Sequence, residues 1–234
     1  MPAAVELKAV DVAYPGGVQA LSDINLTIDE GEFVFLVGPT GHGKSTLLRL
    51  LYREEEPTAG QVLVQGWEVP RLTASRIPYL RRRVGVVFQD FRLLPQRTAA
   101  ENIAFVLEAT GALCPSVEKC VQDALSRVGL ADRAEHFPGQ LAAGEQQRLA
   151  IARALAPGPS LLLADEPTGN LDPQASASVA ALLLEANRGG TTVMVATHDP
   201  AIVNAARRRV VAIREGRIVS DTPEGSYPEN LVQD

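Results

Sequence analysis

The sequence predicts an α/β fold built on a mostly parallel, doubly wound sheet. Short unbroken apolar runs such as Phe33-Val34-Phe35-Leu36-Val37 have the length of strands buried on both faces of a parallel sheet. They alternate with segments of helical period, as doubly wound sheets require. A glycine-rich turn follows the first such run and leads into a helix.

Residues 5–14 alternate apolar and polar side chains, the pattern of a half-buried strand, and 24–28 repeat it. The buried run 33–37 comes next, then the glycine-rich turn, then helical spacing over 45–52. Residues 61–65 read as a short strand and 84–88 as another buried one. From about 91 to 157 the texture changes. Segments 99–108, 117–128 and 145–155 are helical by period, with no comparable strand between them, so a helical lobe is expected inside the α/β core. Strands return at 161–164, 191–196 and 210–213, with a helix near 175–185. A single domain is expected over 1–220. Residues 221–234 hold Pro223, Gly225 and Pro228 and are expected to form a polar, loosely held tail.

With 234 residues the chain has ample length for a sizeable core, and 46% apolar composition excludes a disordered chain. No run approaches the 18 apolar residues of a membrane span, and the first residues lack a secretory pattern. A net charge of −6 speaks against a nucleic-acid coat, so no nucleic-acid partner is expected. These features suggest a soluble, cytoplasmic, globular protein. Cys114 and Cys120, six apart in an expected helix, would face different ways as free thiols. Arg outnumbers Lys 19 to 3, and the triplets Arg81-Arg82-Arg83 and Arg207-Arg208-Arg209 could meet acidic lipid, a partner or only water.

Gly38-Pro39-Thr40-Gly41-His42-Gly43-Lys44-Ser45 fits the phosphate-loop pattern G-x-x-x-x-G-K-[ST] between a strand and a helix. Glycines let successive N–H groups converge on phosphate oxygens, and the helix N-terminus adds its partial positive charge. Lys44 can reach the outer phosphates and Ser45 can join a Mg²⁺ shell, while His42 is read as a spacer. The bare pattern arises by chance in about 1% of chains this long. Leu161-Leu162-Leu163-Ala164 delivers Asp165 to the edge where open α/β sheets bind ligands, as a carboxylate for Mg²⁺. Glu166 follows as a candidate general base.

Phe88-Gln89-Asp90, Glu145-Gln146-Gln147-Arg148, Asp165-Glu166-Pro167, Gly169-Asn170-Leu171-Asp172 and Thr197-His198-Asp199 follow in an order that resembles ABC-type ATPase subunits over about 5–220. The resemblance implies a P-loop core with a mostly parallel sheet, an N-terminal antiparallel β subdomain and an inserted helical lobe, with ATP and Mg²⁺ as ligands. It implies that Tyr14 stacks on adenine and that Thr46 joins the nucleotide site. Gln89 would link Mg²⁺ and water to the lobe, Asp172 would report across a dimer interface, and His198 would contact the γ-phosphate. It further implies a head-to-tail homodimer in the ATP-bound state, each ATP held between one phosphate loop and the other subunit's signature. The signature here departs from the family's usual Leu-Ser-Gly-Gly, reading Leu141-Ala142-Ala143-Gly144-Glu145. The missing hydroxyl predicts weakened, not abolished, ATP-driven dimerisation.

Three stretches resemble the family's bacterial cell-division branch, 50–57, 79–94 and 163–172, with Tyr52-Arg53-Glu54-Glu55 and Asp90-Phe91-Arg92-Leu93-Leu94 the discriminating parts. The third stretch is shared with lipoprotein-release and macrolide-export ATPases. That branch implies an FtsX-like integral membrane partner, control of cell-wall hydrolases, and a peripheral place on the cytoplasmic face of a bacterial membrane. Residues 91–95 would help form the groove receiving a helix of that partner. The alternatives are an ATP-responsive scaffold with weak hydrolysis because of the altered signature, or the ATPase of a lipoprotein-release or macrolide-export type complex. A DNA-organising head is set aside because no heptad run is present.

Overall fold

A computed structural model describes residues 2–228. The first two strands, β1 (Ala3–Tyr14) and β2 (Val18–Asp29), form an antiparallel hairpin. With β4 (Ala59–Val64) and the two-residue β5 (Trp67–Glu68) they make a four-stranded sheet of order β2-β1-β4-β5. The larger sheet runs β10-β9-β3-β8-β7-β6. Its parallel members are β3 (Phe33–Val37), β6 (Val84–Val87), β7 (Leu161–Asp165), β8 (Thr192–Thr197) and β9 (Arg209–Arg214), and β10 (Arg217–Thr222) closes the edge antiparallel to β9. The expected fold class holds: a mostly parallel sheet, an antiparallel N-terminal sheet and a helical insertion between β6 and β7.

The continuous apolar runs are buried on both faces because helices cover one side and the small sheet the other. All five residues of β3 and all six of β8 are buried. One core lies between the two sheets around α1 (Lys44–Leu51), with Leu47, Leu50 and Leu51 inaccessible to solvent. The opposite face packs under α6 (Pro173–Arg188) and α7 (Pro200–Ala206). A third cluster belongs to the lobe: α3 (Ala99–Thr110), α4 (Val117–Arg127) and α5 (Ala143–Leu155).

Local chemistry sets the helix ends. Thr98 accepts from the Glu101 N–H while Glu101 reaches back to the Thr98 N–H, and Gly111, at φ 63°, ends α3 in the left-handed conformation. Ser116 caps α4, and Asp172, ahead of Pro173, caps α6.

Four short elements escape the apolar pattern: β5, α2 (Ile77–Arg81), α7 and β10. The last is an edge strand exposed along nearly its whole length, so no alternation marks it. It takes in Asp221 and Thr222, where a loose tail was expected to begin. Asp221 is held there by Arg209, whose Nε donates to Oδ1 at 2.8 Å and Nη2 to Oδ2 at 2.7 Å. The Gly225 N–H donates to the Arg208 carbonyl at 3.0 Å, and Tyr227 is buried with its N–H on Asn204 Oδ1 at 2.7 Å. The tail is therefore attached through these residues, and its remainder, 229–234, lies outside the described residues. The cysteine expectation also changes. Cys114 precedes α4 rather than lying in it, and its thiol, beside that of Cys120, pushes the Cys120 pKa up. Among the described residues no helix is long and apolar enough to cross a membrane.

Candidate functional site

The phosphate loop, 38–43, connects the end of β3 to α1 and demands glycine at its two ends. Gly38 has φ 150°, and a Cβ there would stand 2.1 Å from the Ile213 carbonyl oxygen. Gly43 has φ 101°, with the Ala20 oxygen 2.6 Å from any added Cβ. The loop thus presses against β9 and β2, which fixes the backbone that would wrap a phosphate. Lys44 is 5% exposed, its ammonium donating to the carbonyls of Gly38 at 2.7 Å and Pro39 at 3.1 Å.

His42 does more than space the loop. Its Nδ1 accepts from the Glu215 N–H at 3.0 Å and its carbonyl from the Gly216 N–H at 3.3 Å, so the ring is turned onto the β9–β10 hairpin. Tyr14 and Thr46 share a hydroxyl contact of 3.3 Å, and the Tyr14 phenol also donates to Glu55 at 3.1 Å. The ring therefore stands at the β1 end against α1.

Two carboxylates face this loop from the end of β7. Ser45 Oγ donates to Asp165 Oδ1 at 3.0 Å. Burial pushes the Asp165 carboxyl above its ordinary range, opposed by that hydrogen bond. Glu166 sits in the left-handed region at φ 46°, its N–H on the Ala196 carbonyl at 2.8 Å. That turn sends its side chain between the Lys44 ammonium and the His198 imidazole. Oε1 lies 3.4 Å from Lys44 Nζ, and Oε2 lies 2.9 Å from His198 Nδ1 while also accepting the His198 N–H at 3.3 Å.

A cleft of about 430 Å³ opens beside these groups, lined by Ser45, Arg49, Tyr52, Gln89, Arg92 and Asp165 among others. Two hard oxygen donors, Ser45 and Asp165, meet at its wall, with the Gln89 amide also in the lining. This donor set suits Mg²⁺, which takes few protein oxygens and completes its shell with water and substrate phosphates.

The signature and Asp172 form a second group, on the first turns of α5 and α6. Gly144 lies so close to α6 that a Cβ on it would come within 2.9 Å of the Ala175 Cβ. Asp172 Oδ1 accepts from the N–H groups of Gln174 and Ala175 at 2.9 Å each. Leu141 is buried; Ala142 and Ala143 are exposed. Ala142 takes the extended N-cap conformation, φ −63°, ψ 157°, without an oxygen to cap. Glu145 supplies only the reciprocal half, accepting the Ala142 N–H at 2.9 Å, and this bond, then Arg133, holds the Glu145 carboxyl below its usual pKa.

A strand-bounded phosphate loop, a carboxylate pair at the sheet edge and a helical lobe opening on a signature helix make a cassette. The ABC transporter family model matches residues 21–169. The chain belongs to the ABC transporter family. Its cassette is 49% identical over 223 residues to the cell division ATP-binding protein FtsE of Bacillus subtilis, covering 95% of this chain and 98% of that protein. It is 51% identical over 208 residues to the Mycobacterium tuberculosis protein of the same name, covering 89% and 90%. The dimeric ATP-binding cassette MJ0796, solved in a post-hydrolysis state with ADP and Pi, superposes with a TM-score of 0.85 at 36% identity, over 95% of this chain and 100% of that one. As a member of this family the chain is a nucleotide-binding ATP hydrolase.

Two residues of the cassette carry no motif that sequence reading could weigh. Asn102, inaccessible to solvent, accepts the Leu94 N–H and donates to the carbonyls of Leu94, Arg97 and Thr98. Arg153 donates to the Phe91 and Arg92 carbonyls. Its signal is a charge inside the apolar stretch Leu149-Ala150-Ile151-Ala152-Arg153-Ala154-Leu155.

Proposed function

We propose that the chain is the Mg²⁺-dependent ATPase of a bacterial cell-division complex, docked on an FtsX-like integral membrane protein at the cytoplasmic face of the membrane. One observation carries the hydrolytic part: Glu166 lies between Lys44 and His198, across the loop from the Ser45–Asp165 pair. Lys44, buried and multiply bonded, is a ready cation for the β- and γ-phosphates. As it turns to them, Glu166 Oε1 becomes free to accept a proton from the attacking water. His198, bonded to Oε2 through both Nδ1 and its N–H, keeps that carboxylate aimed. When bound, Mg²⁺, held by Ser45 and Asp165 with Gln89 nearby, would neutralise charge on the phosphates. Tyr14 would offer its ring to adenine. In the ATP-bound homodimer the 141–145 segment and Asp172 of one subunit would close on the phosphate loop of the other.

The names of the curated relatives support the cell-division role, and the Gln89–Arg92 cleft suits a helix of the membrane partner. The exposed Ala142 favours slow turnover by the isolated chain, with the partner restoring the rate. The test is ATP turnover of purified protein, alone and with the partner in lipid, for the wild type and for Glu166→Gln. Turnover in the wild type and none in Glu166→Gln, with ATP still bound, is expected. Equal turnover in both would overturn the assignment of Glu166.

A further inference from the structure

The loop that carries Gln89 leaves β6 through a tight turn. The Phe91 N–H donates to the Phe88 carbonyl at 3.3 Å, and the next two residues, Phe91 at φ 59° and Arg92 at φ 46°, are both left-handed. Neither is glycine, and two such residues in succession persist only where their surroundings over-determine them. No helix or sheet ladder takes up their carbonyl oxygens. One guanidinium does: Arg153 Nη1 donates to the Arg92 oxygen at 2.5 Å and Nη2 to the Phe91 oxygen at 2.9 Å. Arg153 is two residues from the C-terminal end of α5, the helix that opens at the signature. Burial lowers its pKa, yet an arginine stays charged at any physiological pH, so both bonds are charge-assisted. On the other side of the turn, the Arg92 guanidinium lies 3.9 Å from the centroid of the Phe88 ring and 3.3 Å from Asp90.

We infer that Arg153 is the positioning residue that holds the Gln89 loop in its active shape and ties it rigidly to the signature helix. One rod, α5, then carries the contact that would meet the partner copy's ATP at one end and the clamp on the Gln89 turn at the other. A shift of the loop on partner docking reaches the signature through this clamp, and nucleotide closure reaches the docking cleft the same way. The inference rests on the proposed role of Gln89 in the site.

The test compares Arg153→Ala and Arg153→Lys with the wild type, in steady-state ATP hydrolysis and in limited trypsin digestion. Arg92, whose side chain is 47% exposed, offers the reporter peptide bond. Arg153→Ala should lower kcat about 10- to 100-fold, the scale of a lost charge-assisted bond, with the KM for ATP unchanged. Cleavage after Arg92, read by mass as the 1–92 fragment, should speed up about tenfold. Lys, which reaches one carbonyl at a time, should recover part of both. A merely structural role would instead lower the melting temperature and speed cleavage at all sites together, and that result overturns the inference, as does a wild-type kcat with wild-type cleavage in Arg153→Ala. Should Arg153→Ala fail to fold, the Lys variant alone must show the kcat loss and the faster cleavage after Arg92. If the wild type itself does not hydrolyse ATP, the proposed function fails, while cleavage after Arg92 still reports whether Arg153 holds the turn.

Discussion

Replacing Ala142 with Ser does two separable things in this structure. Ala142 already has the backbone of an N-cap, and Glu145 already makes the reverse bond of a capping box. A hydroxyl would complete the box, which stabilises a helix by about 1 kcal/mol. In a domain of this size that raises the melting temperature by about 2–4 °C. In the ATP-bound dimer the same hydroxyl would face the γ-phosphate of the other subunit's ATP. A hydrogen bond to a charged group contributes about 1.5–3 kcal/mol, so the dimer should tighten roughly 10- to 100-fold for each of its two ATP sites. Ala142→Asp separates the two effects. It caps the helix as well as Ser does, but sets a carboxylate against phosphate. Thermal unfolding should therefore rank both variants above the wild type. Sedimentation of the ATP-bound dimer in a Glu166→Gln background should rank Ser above wild type and Asp below it. If Ser and Asp dimerise alike, or if Ser raises stability and leaves the dimer affinity unchanged, the trans role of position 142 is wrong.

Asp165→Asn should abolish Mg²⁺-dependent hydrolysis and yet stabilise the fold. Because the folded pKa of Asp165 is raised, the folded state holds its proton more tightly than the unfolded one, and stability falls as pH rises through that range. The gain of the Asn variant should thus be absent below about pH 4, the ordinary Asp range, and open as pH rises towards 7 in urea titrations. Asn102→Ala strands a buried N–H and frees three carbonyls, so it should cost about 3 kcal/mol by the same titration. Arg92→Glu removes the cation from the Phe88 ring and repels Glu54 and Asp90, and should weaken co-purification with the membrane partner; undiminished recovery would argue against docking at this cleft.

The phosphate loop, Asp165 and Glu166 were legible because each follows an apolar run that can only be a buried strand. Their chemistry is carried by residue types at fixed spacing. The signature and Asp172 were legible only through family resemblance. What the residues around them do is set by tertiary contacts: His42 looks like a spacer until the β9–β10 turn brings the Glu215 N–H to it. Arg153 is only a charge within an apolar helical stretch until the left-handed turn presents two carbonyls. Cys114 and Cys120 are free thiols as expected, but their facing was misjudged because α4 starts after Cys114, and that boundary depends on the Ser116 cap. Strand β10 was missed because an exposed edge strand has no hydrophobic alternation to display.

The lobe's attachment has a mechanical corollary. Strands β6 and β7 are parallel neighbours, Val84 opposite Leu161 and Val87 opposite Ala164. The lobe departs from the upper end of one and rejoins the lower end of the other, so its two stems stand about 10 Å apart along the strand direction, three residue steps at about 3.3 Å each. A body hung from two pivots set along one line swings about that line and resists sliding away from it. Any stroke of the lobe is therefore a rotation like that of a door, and the Gln89 turn, clamped to α5 by Arg153, turns with it.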